Sequence, residues 1–358
     1  MKIVLLAAAS SIHTIRWANS LQASGMQVHI ITQHQPLESI DDNIIIHQLP
    51  YRGMIGYFTM IPVVKKIISR IQPDIVNAHY ASGYGTTARF VGFQPWILSV
   101  WGSDIFTFPL KTFFHHWLIK TNILSATVIT STSHCMAAQV KKIAPTLSDI
   151  EIIPFGVNLE NFRPPAPKSN KKTNKVIIGT IKSMKPVYGV DTLIRSFALL
   201  TKMVDDIDLE LHLVGGGDCQ EELKTLAFRL GVHNKVKFKG KVPHSNVPYE
   251  LSKLDIYVAL SRSESFGVAV IEAGAARKPV IVSDVGGLPE VVVHEVTGII
   301  VPKEDPQSAA KAMYRLVTNE ILRNQMGEAA IKHVACRYKW ETCVGMMASL
   351  YKKTIKKN

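Results

Sequence analysis

Two glutamates, Glu264 and Glu272, stand with seven residues between them inside the stretch 255–302, where side-chain types and spacing point most directly to chemistry. On one straight helix they would lie about 12 Å apart along the axis. The helical pattern begins only near Phe266-Gly267-Val268, after the polar run 261–265, so a loop break lets the two carboxylates bracket a helix N-terminus instead. Such a terminus carries unpaired N–H groups and the positive end of a dipole, which favours phosphate. Carboxylates accept hydrogen bonds strongly from sugar hydroxyls. The combination suits a ligand with hydroxyls on both sides of a diphosphate, the layout of a nucleotide sugar. A pair of glutamates taken alone fits a solvated helix face equally well.

The elements that must position this pair are legible around it. An apolar run at 256–260 reads as a buried strand leading into the loop. A second strand at 279–284, a Gly286-Gly287 turn and a short strand at 298–302 complete an α/β unit of parallel-sheet type.

In order, the residues Glu264-Ser265-Phe266-Gly267, Glu272-Ala273, Gly286-Gly287-Leu288-Pro289-Glu290 and Thr297-Gly298 resemble family 4 of the retaining glycosyltransferases. The resemblance implies the GT-B fold of that family: two doubly wound Rossmann-like domains facing a cleft, with a C-terminal helix crossing back to the N-terminal domain. It sets an acceptor-binding domain at 1–165, a nucleotide-sugar-binding domain at 166–337 and the crossing helix at 338–358. It further implies that Glu272 holds the ribose diol, that Ser265, Phe266, Gly267 and Val268 line the diphosphate, and that Glu264 contacts the donor sugar. The activity implied is hexosyl transfer with retention, from a UDP- or GDP-linked sugar to a glycan or polyprenyl-linked acceptor, in cell-surface polysaccharide or lipopolysaccharide synthesis. Front-side attack then leaves the acceptor's proton on the departing phosphate oxygen. No Asp-x-Asp motif stands out, so neither a metal nor a cofactor beyond the donor is expected. Two alternatives stay open: a sugar-nucleotide epimerase on the same fold, and a non-catalytic GT-B partner subunit.

Further candidates flank the pair. Lys182 and Lys185 follow a strand at 176–180, and either they are solvated lysines or their ammonium groups neutralise a departing phosphate. The family commonly has an Arg and a Lys where this chain has Thr180 and Tyr188. The segment 214–218, with Gly216 at its centre, is a glycine-rich anion cradle or a tight turn; its spacing lacks the dinucleotide fingerprint, which removes a dehydrogenase reading. Lys241-Val242-Pro243 resembles the family segment whose backbone meets the nucleotide base. In the first half, Ala8-Ala9 replace a family Gly-Gly pair, a change that holds the loop further from a diphosphate, while His13 is kept. His79 also matches a family histidine. Trp101 stands where many relatives have His, which leaves Asp104 as the carboxylate most suited to face the cleft, or an N-cap. His13, His79, Asp104 and Glu264 form the expected catalytic set.

A chain of 358 residues with 47% apolar and 19% charged residues fits two globular domains. The net charge of +13 favours anionic partners such as nucleotide diphosphates or an anionic membrane; no nucleic-acid motif is evident, so nucleic acid is not expected. Cys135, Cys219, Cys336 and Cys343 lack metal-type spacing, which suits a reducing cytoplasm. The start, 1–9, has signal-peptide features, but helical spacing at 10–24 and an apolar run at 26–32 read instead as an opening βαβ with its first strand retained.

Apolar runs at 3–8, 27–32, 44–48, 74–78, 96–100, 126–130 and 150–153 alternate with helical stretches, as in a doubly wound parallel sheet with ligands at the carboxyl ends of the strands. The Pro-, Lys- and Asn-rich residues 164–175 read as a linker. Residues 109–124 mix Phe113, Phe114 and Trp117 with Lys111 and Lys120. They form either a buried helix or an interfacial one making peripheral contact with the cytoplasmic face of an anionic membrane, helped by Lys352, Lys353, Lys356 and Lys357.

Overall fold

A computed structural model describes residues 1–162 and 174–357. It divides into two units, Met1–Pro154 with Glu341–Asn358, and Phe155–Trp340. The linker read at 164–175 lies outside the described residues up to 173, and Lys175 already opens a strand.

The first unit is built on a seven-stranded parallel sheet: β1 (Lys2–Leu6), β2 (Gln27–Thr32), β3 (Ile45–Gln48), β4 (Ile75–His79), β5 (Trp96–Val100), β6 (Val128–Ser131) and β7 (Glu151–Ile152). Their spatial order is β3-β2-β1-β4-β5-β6-β7. Every residue of β4 and β5 is buried, as expected for central strands covered by helices on both faces. The order reverses between β1 and β4, so the loops leaving those strands diverge and open a crevice at their carboxyl ends. The last helix, Trp340–Lys357, completes this unit from the far end of the chain. Cys343 and Tyr351 are fully buried, and the Tyr351 hydroxyl accepts a 2.7 Å hydrogen bond from Asn77 Nδ2 in β4.

The second unit repeats the plan with six parallel strands: β8 (Lys175–Ile181), β9 (Asp208–Val214), β10 (Val236–Gly240), β11 (Ile256–Ala259), β12 (Val280–Ser283) and β13 (Gly298–Val301). They lie in the order β10-β9-β8-β11-β12-β13, with the reversal between β8 and β11. Phe197, Leu211, Ile256, Ile281 and Leu316 pack in its core. The unit opens at Phe155, earlier than the boundary read at 165. Phe155 sets its ring against Phe266, and the Val157 N–H donates to Tyr338 O at 2.7 Å, so residues 155–162 pack with the second core. Among the described residues no helix is long and apolar enough to cross a membrane.

Candidate functional site

The reversal between β8 and β11 decides which side chains meet. The loop leaving β8 carries Lys182 and the loop leaving β11 carries Glu264, and their side chains join at 2.5 Å. Both are largely buried. Desolvation alone would lower the Lys182 pKa; the Glu264 and Tyr257 charges and the hydrogen bond that Lys182 donates to Glu264 outweigh it and hold the amine above its ordinary value. Lys182 also lies 4.8 Å over the Tyr188 ring, a cation–π contact that keeps its charge in place.

Immediately beyond Glu264 the helix Val268–Ala275 begins. Its N-cap is Gly267, at φ +110°, with no side chain to cap the first amides. Two later helices of the same unit are closed by side chains: Asp305 caps Pro306–Thr318 and Asn319 caps Glu320–Arg337. A helix start without a side-chain cap, like this one, suits an anion. Gly286 and Gly287 shape this start. The Gly287 N–H donates to Glu264 O at 3.0 Å, and a Cβ on Gly286, at φ +54°, would run into that same carbonyl. A Cβ on Gly287 would crowd the Ser265 carbonyl and the Phe266 backbone.

One helical stretch further on, the carboxylate of Glu272 is buried and meets His244 Nε2 at 2.9 Å. His244 opens the turn His244–Asn246, directly after Lys241-Val242-Pro243. The uncapped helix start is thus bracketed by two acid–base pairs, Glu264 with Lys182 and Glu272 with His244. Beside them a pocket of about 260 Å³ is lined by Lys182, Ser183, Gly215, Gly216, Lys241 and Val242, among others. Gly215 and Gly217 press against the backbone of Lys182 and Met184, where a Cβ would collide, while Gly216 opens toward Lys241. Here the glycine run lets two loops touch, and Gly215 and Gly216 both line the pocket.

Lys185 does not join Lys182. Met184 between them is buried in the core, which turns Lys185 outward to line a separate pocket of about 350 Å³ with Asp191, Arg195, Glu222, Arg229 and Arg262. The structure therefore does not bring the two ammonium groups expected to share one phosphate to one place.

In the first unit the carboxyl ends of β4 and β5 and the helix Ile12–Ala23 that follows β1 gather His13, Thr14, His79 and Trp101. Trp101 lies 4.2 Å from the His79 ring and 6.1 Å from that of His13, centroid to centroid. His79 Nδ1 is 3.4 Å from Thr14 Oγ1. Burial, and after it the charge of His13, pushes the His79 pKa down to about 3, so its imidazole is neutral and too weak a base to accept a proton near neutrality. Asp104 is likewise not the open carboxylate expected. Its Oδ2 accepts from the Ala81 N–H at 2.8 Å, and its Oδ1 from the N–H groups of Gly102 at 2.9 Å and Trp101 at 3.3 Å. Burial raises its pKa against those bonds. It ties the loop after β5 to the loop after β4. Among the named first-unit residues His13 keeps a partly exposed ring.

Two sequence models match the chain, one described as glycosyl transferases group 1 over residues 163–333 and one as glycosyl transferase 4-like over residues 2–133. The architecture is that of a GT-B glycosyltransferase, and the chain belongs to the group 1, family 4-like glycosyltransferases. It is 26% identical over 406 residues to the D-inositol 3-phosphate glycosyltransferase of Jonesia denitrificans, covering 97% of this chain and 92% of that one. Among solved structures it superimposes on the sucrose-phosphate synthase of Thermosynechococcus elongatus with a TM-score of 0.85 at 20% identity, covering both chains fully. Anabaena HepE in complex with UDP-glucose superimposes with a TM-score of 0.80 at 17% identity, over 99% of this chain and 100% of that one.

Proposed function

We propose that this glycosyltransferase is a retaining, metal-independent enzyme that takes a hexose from a UDP- or GDP-linked donor bound in the second unit. The observation carrying the reading is the uncapped start of Val268–Ala275 between the pairs Lys182–Glu264 and His244–Glu272. The amides at Ser265 to Val268 receive the diphosphate, Glu272 the ribose hydroxyls and Glu264 the hydroxyls of the donor sugar. Val242 and Gly216 flank the nucleoside. Lys182, kept charged by Glu264, compensates the negative charge that grows on the leaving diphosphate. An acceptor hydroxyl oxygen attacks the anomeric carbon on the face the diphosphate leaves, the bond to the phosphate oxygen breaks, and the hydroxyl proton passes to that oxygen. Rate then comes from positioning and charge compensation. The acceptor, a glycan or polyprenyl-linked sugar, is assigned to the first unit, with His13 and Trp101 at its crevice.

A thermal-shift screen with UDP-glucose, UDP-N-acetylglucosamine and GDP-mannose tests the donor site. At about a hundredfold excess over Kd a true donor adds about 2.7 kcal/mol of stability, and Glu272→Ala is expected to erase the shift. No shift with any donor, or an equal one in the variant, contradicts the reading. Proton NMR of the best donor incubated alone is expected to show no epimer; accumulation of one would favour the epimerase instead.

A further inference from the structure

Ten of the 21 exposed large apolar side chains among the described residues fall between positions 54 and 124, in a chain of 358. Most of them are linked by shared helices and ring contacts. Met54, Ile55 and Phe58 share the helix Gly53–Thr59, and Phe58 meets Phe90 at 6.1 Å. Arg89 lies 4.8 Å over the Phe90 ring and 5.6 Å over Trp117, and Trp117 meets Phe114 at 5.9 Å on the helix Phe113–Ser125. Phe113, at the tip of that helix, is 86% exposed and Ile55 75%, values no monomer core explains.

The stretch of chain that carries this surface is predominantly basic. Residues 43–148 hold nine Lys and Arg against two acids, Asp74 and Asp104. Asp74 accepts from the Lys2 backbone N–H and Asp104 is buried among amides, so neither offsets the basic rim. Arg and Lys stems packed on aromatic rings, with Trp and Phe facing outward, match the boundary between lipid headgroups and acyl chains. A second copy of the chain would bring like charges together on this face.

We infer that the face built from Gly53–Thr59, Phe90 and Phe113–Ser125 docks on an anionic lipid bilayer, the aromatic and aliphatic side chains entering the headgroup boundary while Lys111 and Lys120 pair with lipid phosphates. The association lies along the surface, since no described helix spans.

Flotation of the full chain with vesicles of phosphatidylcholine alone, and with phosphatidylglycerol added, tests this docking face. The protein is expected to rise with the anionic vesicles, to stay down with the neutral ones, and to be released by salt. Lys111→Glu/Lys120→Glu is expected to lower partitioning by about tenfold or more. Phe113→Ser/Phe114→Ser/Trp117→Ser, all at exposed positions, should abolish it with the melting temperature unchanged. Failure of wild type to float with anionic vesicles at low salt overturns the inference, as does equal flotation of the variants. So does a dimer that the aromatic variant disperses without any flotation. The assay reads the surface and not the transfer reaction, so its failure leaves the donor site untouched.

Discussion

Lys182 and Glu264 hold each other's charge in a largely buried place, so removing one partner strands the other. Lys182→Met is expected to destabilise the second unit by about 3–5 kcal/mol, and Lys182→Met/Glu264→Gln to recover most of it, in urea melts. Turnover should fall by about 10²–10³ in Lys182→Met, as when one group that stabilises transition-state charge is deleted. A stable and active Lys182→Met would remove the pair from the account. His79 makes a different prediction. Its folded pKa of about 3 lies below the ordinary value of 6.5, so the stability it contributes is present above pH 6.5 and is lost as pH falls toward 3. His79→Asn should flatten the decline in first-unit stability between pH 6.5 and 5, read by denaturant melts at each pH. At this scale Glu264, Glu272 and Lys182 were legible from type and spacing. His244 was not, because its contact with Glu272 spans 28 residues of chain and nothing local marks it. The direction of Lys185 was not legible for a similar reason: a position past the end of a strand does not tell which way a side chain turns, and buried Met184 decides it.

The strands were readable because each is a short apolar run bounded by polar loops, and the central ones are buried throughout. Several helices were less so. Gly53–Thr59 is an example: only Gly56 is buried, so its sequence shows little apolar contrast. The helix Val268–Ala275 illustrates how an element depends on a neighbour's backbone. Gly286 sits at φ +54° against the Glu264 carbonyl, so Gly286→Ala meets both a left-handed strain and a collision. It should lower stability by more than about 1 kcal/mol and weaken donor binding together, since the loop carrying Glu264 must move. An unchanged donor affinity with full stability would show that this contact does not set the helix start.

Taken whole, the chain folds one strand order twice, and its C-terminal helix belongs to the first of the two units. That assignment predicts an asymmetric truncation. Deleting residues 341–358 removes Cys343, Met347 and Tyr351 from the first core and leaves Asn77 without the Tyr351 hydroxyl, so the first unit should lose several kcal/mol. The second unit, Phe155–Trp340, keeps all its strands and should still bind donor nucleotide; loss of nucleotide binding on truncation would contradict the division of labour. The central claim is that the Val268–Ala275 start holds a diphosphate between Glu264 and Glu272. Calorimetric titration with the nucleoside monophosphate, diphosphate and diphosphate sugar of whichever series, uridine or guanosine, binds more tightly tests it most directly. The account predicts a steep gain from monophosphate to diphosphate, a loss of affinity for all three ligands in Glu272→Ala, and a loss confined to the sugar's increment in Glu264→Gln. Equal affinity for monophosphate and diphosphate, or unaltered binding in both variants, would contradict it.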